Sequence, residues 1–213
     1  MTTTTLFCLI SGASIEVASS VLIMLHGRGG NAKAFTNLAD YLNTDAFAIY
    51  TPEAPGNSWY PYSFMAPDSK NYPALENSLR IVDQLVGSII ASGIRANRLY
   101  FFGFSQGACL ALEYTARNAI RYGGIVAFTG GLIGEQLVTA RYRGNFDRTP
   151  ILITTGDTDP HVPLNRVEES VNILEILSSH VTLKIYPGRE HIILEEEFAL
   201  ANQIIFTGKD HRL

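Results

Sequence analysis

The sequence has few cysteines. Cys8 and Cys109 are the two among 213 residues, and they lie far apart, without the short spacing of a metal-binding pair. Small extracellular domains that depend on disulfide bonds carry many more cysteines for their length. We therefore expect two reduced thiols in a reducing compartment, which predicts a cytoplasmic protein.

The sequence also lacks a strong excess of charge of either sign, and it lacks long apolar runs. Charged residues make up 17% of the chain and the formal net charge is −4, whereas nucleic-acid-binding domains cluster lysine and arginine. No apolar run approaches the ~18 residues that read as a membrane span. Residues 1–10 have neither the basic start nor the cleavage site of a signal peptide. We expect no nucleic-acid partner, no transmembrane segment and no leader.

Short apolar runs alternate with helical patterns along the chain. The predicted strands are residues 21–25, 46–51, 99–104, 124–128, 150–155 and 181–186. The predicted helices are residues 32–42, 74–92, 107–118, 164–178 and 192–206. Such alternation forms right-handed βαβ units, which predicts an α/β fold with a mostly parallel central sheet and helices on both faces. The length fits one domain spanning residues 1–213.

The segment Gly103-Phe104-Ser105-Gln106-Gly107 lies between a predicted strand and a predicted helix. This is the context of a nucleophile elbow, in which a tight turn exposes a serine hydroxyl. Glycine is needed two residues before and after the serine because side chains there would collide with the strand or the helix. The bare pattern also arises by chance in glycine-rich turns, but the flanking elements favour Ser105 as a nucleophile.

A second glycine-rich turn, Leu-His-Gly-Arg-Gly-Gly at residues 25–30, ends the first predicted strand. Acyl transfer needs N–H donors directed at the developing oxyanion. We expect the backbone N–H groups of Arg28, in this turn, and of Gln106, after the nucleophile, to supply them. A phosphate-binding turn is the alternative, but the glycine spacing and the Gly-Lys-Ser/Thr signature of such turns are absent. His26 is interpreted as a brace for the turn.

A catalytic serine requires a histidine base, and the histidine requires an acid that fixes its tautomer. Asp157 and Asp159 both follow the strand predicted at 150–155. Asp157 lies beside the strand end, where turn-forming aspartates are common. Asp159 lies further out, where it can reach a histidine after the next strand. We favour Asp159, with Asp157 as the alternative.

Five histidines compete for the role of base. His26 precedes Ser105, His180 lies before a strand, and His211 is near the C-terminus. His161 is a rival but is interpreted as a polar residue at the pocket rim, and we predict His191 as the base. No His-x-x-x-His pair or Cys/His cluster occurs, so we expect neither a metal nor a cofactor.

Four motifs together resemble the phospholipase/carboxylesterase family of small α/β-hydrolases, which includes acyl-protein thioesterases. They are Leu-His-Gly-Arg-Gly-Gly at 25–30, Gly-Phe-Ser-Gln-Gly-Ala at 103–108, Gly-Asp-Thr-Asp-Pro-His-Val-Pro at 156–163 and Gly-Arg-Glu-His at 188–191. The resemblance covers about residues 21–206. It implies an α/β-hydrolase fold and hydrolysis of carboxyl esters or thioesters through an acyl-enzyme, without a cofactor. It also implies a catalytic triad of Ser105, Asp159 and His191, with Arg28 and Gln106 as the oxyanion donors.

The sequence departs from the family pattern in places. Thr155-Gly156 stands where the family often has His-Gly, and Ser58-Trp59-Tyr60-Pro61 stands where Ser-Trp-Phe-Asp is frequent. The chain is also short at its N-terminus. We therefore expect the family's mechanism without assuming acyl-protein thioesterase activity.

Aromatic residues crowd the irregular segment 52–73, and we predict that they form one wall of an acyl pocket. Trp59, Tyr60 and Phe64 are the main candidates, although each could instead pack on the core. Leu132, in the segment 129–149, is the candidate for the opposite wall, and His161 for the rim. That segment is too short for a large cap domain, so we expect an open site.

The prediction is a serine esterase that cleaves a small-molecule ester with a small or medium acyl chain. A lysophospholipase or an acyl thioesterase of the same fold is the nearest alternative. A catalytically silent relative that only binds a ligand or a partner would usually lack a triad residue or a glycine turn. A dienelactone-hydrolase-like enzyme would carry cysteine as the nucleophile, and Cys109 lies one helical turn too late. The sequence does not decide between a monomer and a homodimer.

Overall fold

The computed structural model describes residues 7–207. Residues 1–6, on which the prediction about a leader partly rests, and residues 208–213, with His211, lie outside the described residues. The described chain forms one seven-stranded sheet in the order β1-β3-β2-β4-β5-β6-β7. The strands are β1 Cys8–Gly12, β2 Ser20–Leu25, β3 Phe47–Pro52, β4 Leu99–Phe104, β5 Gly124–Phe128, β6 Pro150–Gly156 and β7 His180–Tyr186.

The sheet is parallel from β3 to β7, and β1 pairs antiparallel with β3 at one edge. Helices follow or connect the parallel strands. They are α1 Ala32–Thr36, α2 Asp68–Asn71, α3 Ala74–Ala91, α4 Gln106–Arg117, α5 Leu164–Ile176 and α6 Glu195–Ile204. The expected α/β-hydrolase architecture is thus confirmed, and residues 7–207 contain no large cap inserted between the strands. Within the same range, no helix combines the length and apolar character needed to cross a bilayer.

Both faces of the sheet are covered because its strands are apolar on both sides. All six residues of β2 are buried. Val21 and Ile23 belong to one core cluster, which includes residues of α3, α4 and α5. Leu22 and Met24 belong to a second cluster, which includes residues of α1 and α6. Successive side chains of a strand point to opposite faces, so one apolar run supplies two cores.

Two predicted helices need correction, and one strand was missed. The predicted helix 32–42 is an α-helix over Ala32–Thr36 followed by a 3-10 helix over Asn37–Tyr41. The last helix begins at Glu195 rather than at 192, because the Glu197 carboxylate accepts a hydrogen bond from the Leu194 N–H at 2.6 Å and caps the helix there. Strand β1 was not predicted at all.

Candidate active site

The carboxyl ends of β2, β4, β6 and β7 lie at one edge of the sheet because these strands are parallel. Ligands of open α/β sheets bind at this edge. The glycine turn after β2, the serine after β4, the acids after β6 and the histidine after β7 are therefore neighbours in space, although up to 165 residues separate them in the sequence, from His26 to His191.

The turn at Ser105 is as tight as its glycines predict. Ser105 has φ 54° and ψ −118°, a backbone conformation that residues other than glycine seldom adopt. A Cβ atom at Gly103 would lie 2.5 Å from the carbonyl carbon of Gly107, and one at Gly107 would lie 1.9 Å from the Leu25 carbonyl oxygen. Side chains are excluded at both positions, so the hydroxyl of Ser105 stands at the N-terminus of α4, where the helix dipole favours negative charge.

Ser105, His191 and Asp159 form a hydrogen-bonded chain. The Ser105 Oγ lies 2.7 Å from His191 Nε2, and His191 Nδ1 lies 2.7 Å from Asp159 Oδ2. The Asp159 side chain is fully buried, whereas the His191 side chain is 21% exposed. With the proton on Nδ1, the imidazole leaves Nε2 free to accept the serine proton, which is the arrangement a general base needs.

The two candidate acids occupy different positions. Asp159 Oδ1 accepts hydrogen bonds from the backbone N–H groups of His161, at 2.8 Å, and Val162, at 3.0 Å. Its orientation is therefore fixed by its own turn. Asp157 is exposed and accepts from the Gly188 N–H at 2.7 Å, which joins the β6 turn to the β7 turn. Asp159 reaches His191, and Asp157 does not.

A buried ion pair lies beneath the loop that carries His191. Arg189 Nη1 lies 2.5 Å from Glu197 Oε1, and the side chains are 3% and 0% exposed. Arg189 also donates to the Thr129 hydroxyl, and the Thr154 hydroxyl donates to Glu197. Sequence reasoning missed this network. The prediction of a helix over residues 192–206 gave no signal of it, because Glu197 becomes a capping residue only with the helix beginning at Glu195.

The turn after β2 presents donors beside the nucleophile. A Cβ atom at Gly27 would lie 3.5 Å from the Ser105 Cβ, so the two turns touch. In the described part of the chain, no protein oxygen accepts from the backbone N–H of Arg28 or of Gln106. Both N–H groups are therefore available to an oxyanion. His26 is buried and braces the turn, since its Nδ1 donates to the Gly27 carbonyl at 2.8 Å and its Nε2 accepts from the Ala54 N–H at 3.1 Å.

The side chains of Arg28 and Gln106, the two candidate oxyanion donors, bind the backbone of the irregular segment 52–73. Gln106 Oε1 accepts from the Trp59 N–H at 2.9 Å, and Gln106 Nε2 donates to the Tyr60 carbonyl at 2.7 Å. Arg28 Nη1 donates to the Pro61 carbonyl at 2.7 Å, and Nη2 donates to the Tyr62 carbonyl at 2.5 Å. The loop is thereby fixed to the same residues whose backbones face the serine.

An open cavity of about 550 Å³ lies over Ser105. Tyr60, Phe64 and His161 line it, as the sequence predicted. Trp59 does not, because its ring is buried with Nε1 donating to the His26 carbonyl at 2.9 Å, and Leu132 does not, because it is buried in the core. No residue of 129–149 lines the cavity, so that segment is not a pocket wall.

Cys109 lines the inner end of the cavity but is buried. Burial raises the pKa of its thiol to about 12, so the sulfur stays protonated and is a poor nucleophile.

Within residues 7–207, no three histidine, cysteine, aspartate or glutamate side chains converge as metal ligands. That neither metal nor cofactor takes part stays a prediction.

Known proteins resemble this chain along most of its length. A family model described as Phospholipase/Carboxylesterase matches residues 12–207. A phospholipase/carboxylesterase of known crystal structure from Dyadobacter fermentans is 52% identical with a TM-score of 0.92, over 93% of this chain and 95% of that chain. Acyl-protein thioesterase 1 from Kluyveromyces lactis is 27% identical over 85% of this chain and 89% of its own length. A probable carboxylesterase from Arabidopsis thaliana is 25% identical over 85% and 76%.

Proposed function

The chain belongs to the phospholipase/carboxylesterase family, and we propose that it hydrolyses carboxylic esters of small or medium acyl chain, with Ser105 as the nucleophile. One observation carries the proposal. His191 bridges Ser105 and Asp159 through two contacts of 2.7 Å in an open cavity. A silent relative that only binds ligands would have no need of this alignment.

In the proposed reaction, Ser105 Oγ attacks the ester carbonyl carbon while His191 Nε2 takes the hydroxyl proton. Asp159 stabilises the resulting imidazolium. The backbone N–H groups of Arg28 and Gln106 donate to the oxyanion, a contribution worth about 10²–10³ in kcat per donor. His191 then returns the proton to the leaving alcohol. Water attacks the acyl-enzyme by the same steps, which releases the acid and regenerates Ser105.

Chain length is the first test of substrate. The cavity of about 550 Å³ is bounded by Tyr60 and Phe64 and closed at its inner end by buried Cys109. We expect p-nitrophenyl acetate to octanoate to be hydrolysed faster than the palmitate. A thioesterase is the second candidate, favoured by the relatives named acyl-protein thioesterase, and octanoyl thioesters belong in the same assay.

Ser105→Ala is the matched control, and we expect a loss of at least about 10⁴-fold in kcat. A fluorophosphonate probe should label the wild type and not the variant. Absence of both turnover and labelling in the wild type would overturn the proposal, whereas a faster rate on thioesters than on esters would transfer it to the second candidate.

Two further proposals concern the setting. We propose that residues 1–213 work as one domain and that the protein acts in the cytoplasm. The second rests on Cys8 and Cys109, which are both free thiols, since persistent free thiols suit a reducing compartment.

A further inference from the structure

Among residues 7–207, the guanidinium of Arg28 has no carboxylate partner. Its acceptors are neutral, namely the carbonyls of Pro61 and Tyr62 and the Ser58 hydroxyl at 3.2 Å, and it lies 5.9 Å from the Tyr60 ring centroid. Within residues 7–207, no ion pair includes Arg28. Carbonyl contacts orient a guanidinium but leave its positive charge uncompensated.

The charge faces the cavity. Arg28, Pro61 and Tyr62 all line it, so the guanidinium lies in its wall. No described residue that lines it is an aspartate or a glutamate. The carboxylate nearest along the hydrogen-bonded chain, Asp159, is buried behind His191 and engaged with it. Among the described lining residues, Arg28 thus carries a formal positive charge that no lining carboxylate balances, in a chain whose formal net charge is −4.

Arg28 retains unused donors. A guanidinium has five N–H groups, and in the described chain three contacts occupy two on Nη1 and one on Nη2. One N–H on Nη2 and the N–H of the adjacent Nε remain. Two neighbouring N–H groups match the two oxygens of a carboxylate.

His161 adds a second polar group to the wall. It is exposed, its ring centroid lies 4.9 Å from that of His191, and no described residue hydrogen-bonds to its ring nitrogens. An apolar acyl chain would gain nothing from either group, whereas an anionic substrate would gain a charge-assisted hydrogen bond.

We propose that the cavity selects esters that carry a free carboxylate, with Arg28 as the specificity-determining residue. The inference rests on the proposed esterase function and names its substrate class. Arg28 serves twice in this scheme, because its backbone faces the oxyanion and its side chain faces the anionic group of the same substrate.

The test compares substrates that differ in one charge. Hydrolysis of monomethyl glutarate and of its neutral amide, methyl glutaramate, is followed by titration of the released acid. A second pair, acetoxyacetate and its amide, places the charge on the alcohol side. We expect kcat/KM to favour the acid over the amide at least tenfold in one of the pairs, mainly through KM, and the preference to weaken at high salt.

Variants of Arg28 distinguish the effect of its charge from the support that its side chain gives to the segment 52–73. Arg28→Gln should reduce the ratio of acid to amide about tenfold or more, because the amide side chain still bonds carbonyls but carries no charge. Arg28→Lys should retain part of the preference. Arg98→Gln is the matched control, since this exposed arginine precedes β4 at the opposite edge of the sheet and bonds the Ser19 carbonyl.

Two outcomes would overturn the inference. One is equal kcat/KM for acid and amide in both pairs, and the other is a ratio that Arg28→Gln leaves unchanged. In either case hydrolysis of the neutral esters, abolished by Ser105→Ala, would leave the esterase proposal standing.

Discussion

Two regions at the same edge of the sheet each lie over a buried glutamate paired with an arginine. Under the loops after β6 and β7, Glu197 pairs with Arg189. Under the segment 129–149 after β5, Glu113 pairs with Arg117 at 2.7 Å. The first pair supports the loop that ends in His191. The second holds a segment that never reaches the cavity.

The contacts of Glu113 show what the second region does. Its Oε2 accepts from the Ile133 N–H at 2.9 Å and from the Tyr142 hydroxyl at 3.2 Å. Arg117 also reaches Glu76 at 2.8 Å and is 19% exposed, whereas Arg189 is 3% exposed. A buried glutamate–arginine pair thus supports the loop of the candidate catalytic base in the first region. In the second region, a similar pair only holds the segment 129–149 in place. Substitutions in the first region should alter activity, and those in the second should alter stability alone.

The largest effect is expected within the first region. Asp159→Asn should lower kcat on a p-nitrophenyl ester by about 10⁴-fold, because an amide at this position favours the wrong tautomer of His191. Asp157→Asn is the matched control and should change kcat less than about threefold, since the amide oxygen can still accept the Gly188 N–H. Equal losses in the two variants would refute the assignment of Asp159.

The next effect concerns the buried pair under His191. Glu197→Gln leaves Arg189 charged, buried and without its ion-pair partner, which should lower the free energy of unfolding in urea by about 3–5 kcal/mol. Displacement of the His191 loop should also lower kcat, on the order of tenfold to 100-fold.

A double variant, Arg189→Met with Glu197→Leu, tells the two effects apart. Removing both charges should restore much of the unfolding free energy. If kcat stays low while the free energy of unfolding recovers, the Arg189–Glu197 pair is needed to position His191. Full recovery of kcat together with stability would mean that the pair contributes to folding alone.

A smaller effect is expected in the second region. Glu113→Gln should change the free energy of unfolding by no more than about 1 kcal/mol, because the amide oxygen still accepts the Ile133 N–H and Arg117 keeps Glu76 and solvent. We expect kcat/KM to stay within about twofold of the wild type. A tenfold fall would contradict the separation of the two regions.

The smallest effect is a pH dependence. Burial raises the pKa of Glu113 above its ordinary value of 4.5, so the folded state binds this proton more tightly than the unfolded state. The stability due to this group is present below pH 4.5 and is lost as the pH rises through the folded pKa. The free energies of unfolding of the wild type and Glu113→Gln should be measured from below pH 4.5 upward. As the pH rises, we expect the wild type to lose stability relative to the variant. A shift in the opposite direction would mean that the Arg117 charge outweighs burial.

Where a residue type has one physical explanation, the sequence predicted its place. Gly103 and Gly107 must be glycine because backbone atoms occupy the space of a side chain, and the apolar strands β2, β4 and β5 can lie only inside a sheet. The proximity of Ser105, Asp159 and His191 then follows from parallel strands whose ends share an edge.

Where a residue type has several explanations, the sequence did not decide. Trp59 and Tyr60 are adjacent aromatics in one irregular loop, yet Trp59 packs inward on His26 and only Tyr60 borders the cavity. Strand β1 is short, partly exposed and antiparallel at an edge, and polar Ser11 and Gly12 end its apolar part after Ile10. Arg189 and Glu197 resemble surface charges until tertiary contacts bury them.

The contact between Gly107 and the Leu25 carbonyl also matters for anyone who would redesign the protein. The backbone of residue 105 is held by main-chain contacts, with its N–H bonded to the Phe128 carbonyl and its carbonyl to the Cys109 N–H, so we expect that the reacting atom can be exchanged without rebuilding this support. A cysteine at that position would inherit the location of the serine oxygen together with its neighbours. The same backbone could therefore present either an oxygen or a softer sulfur nucleophile to the substrate.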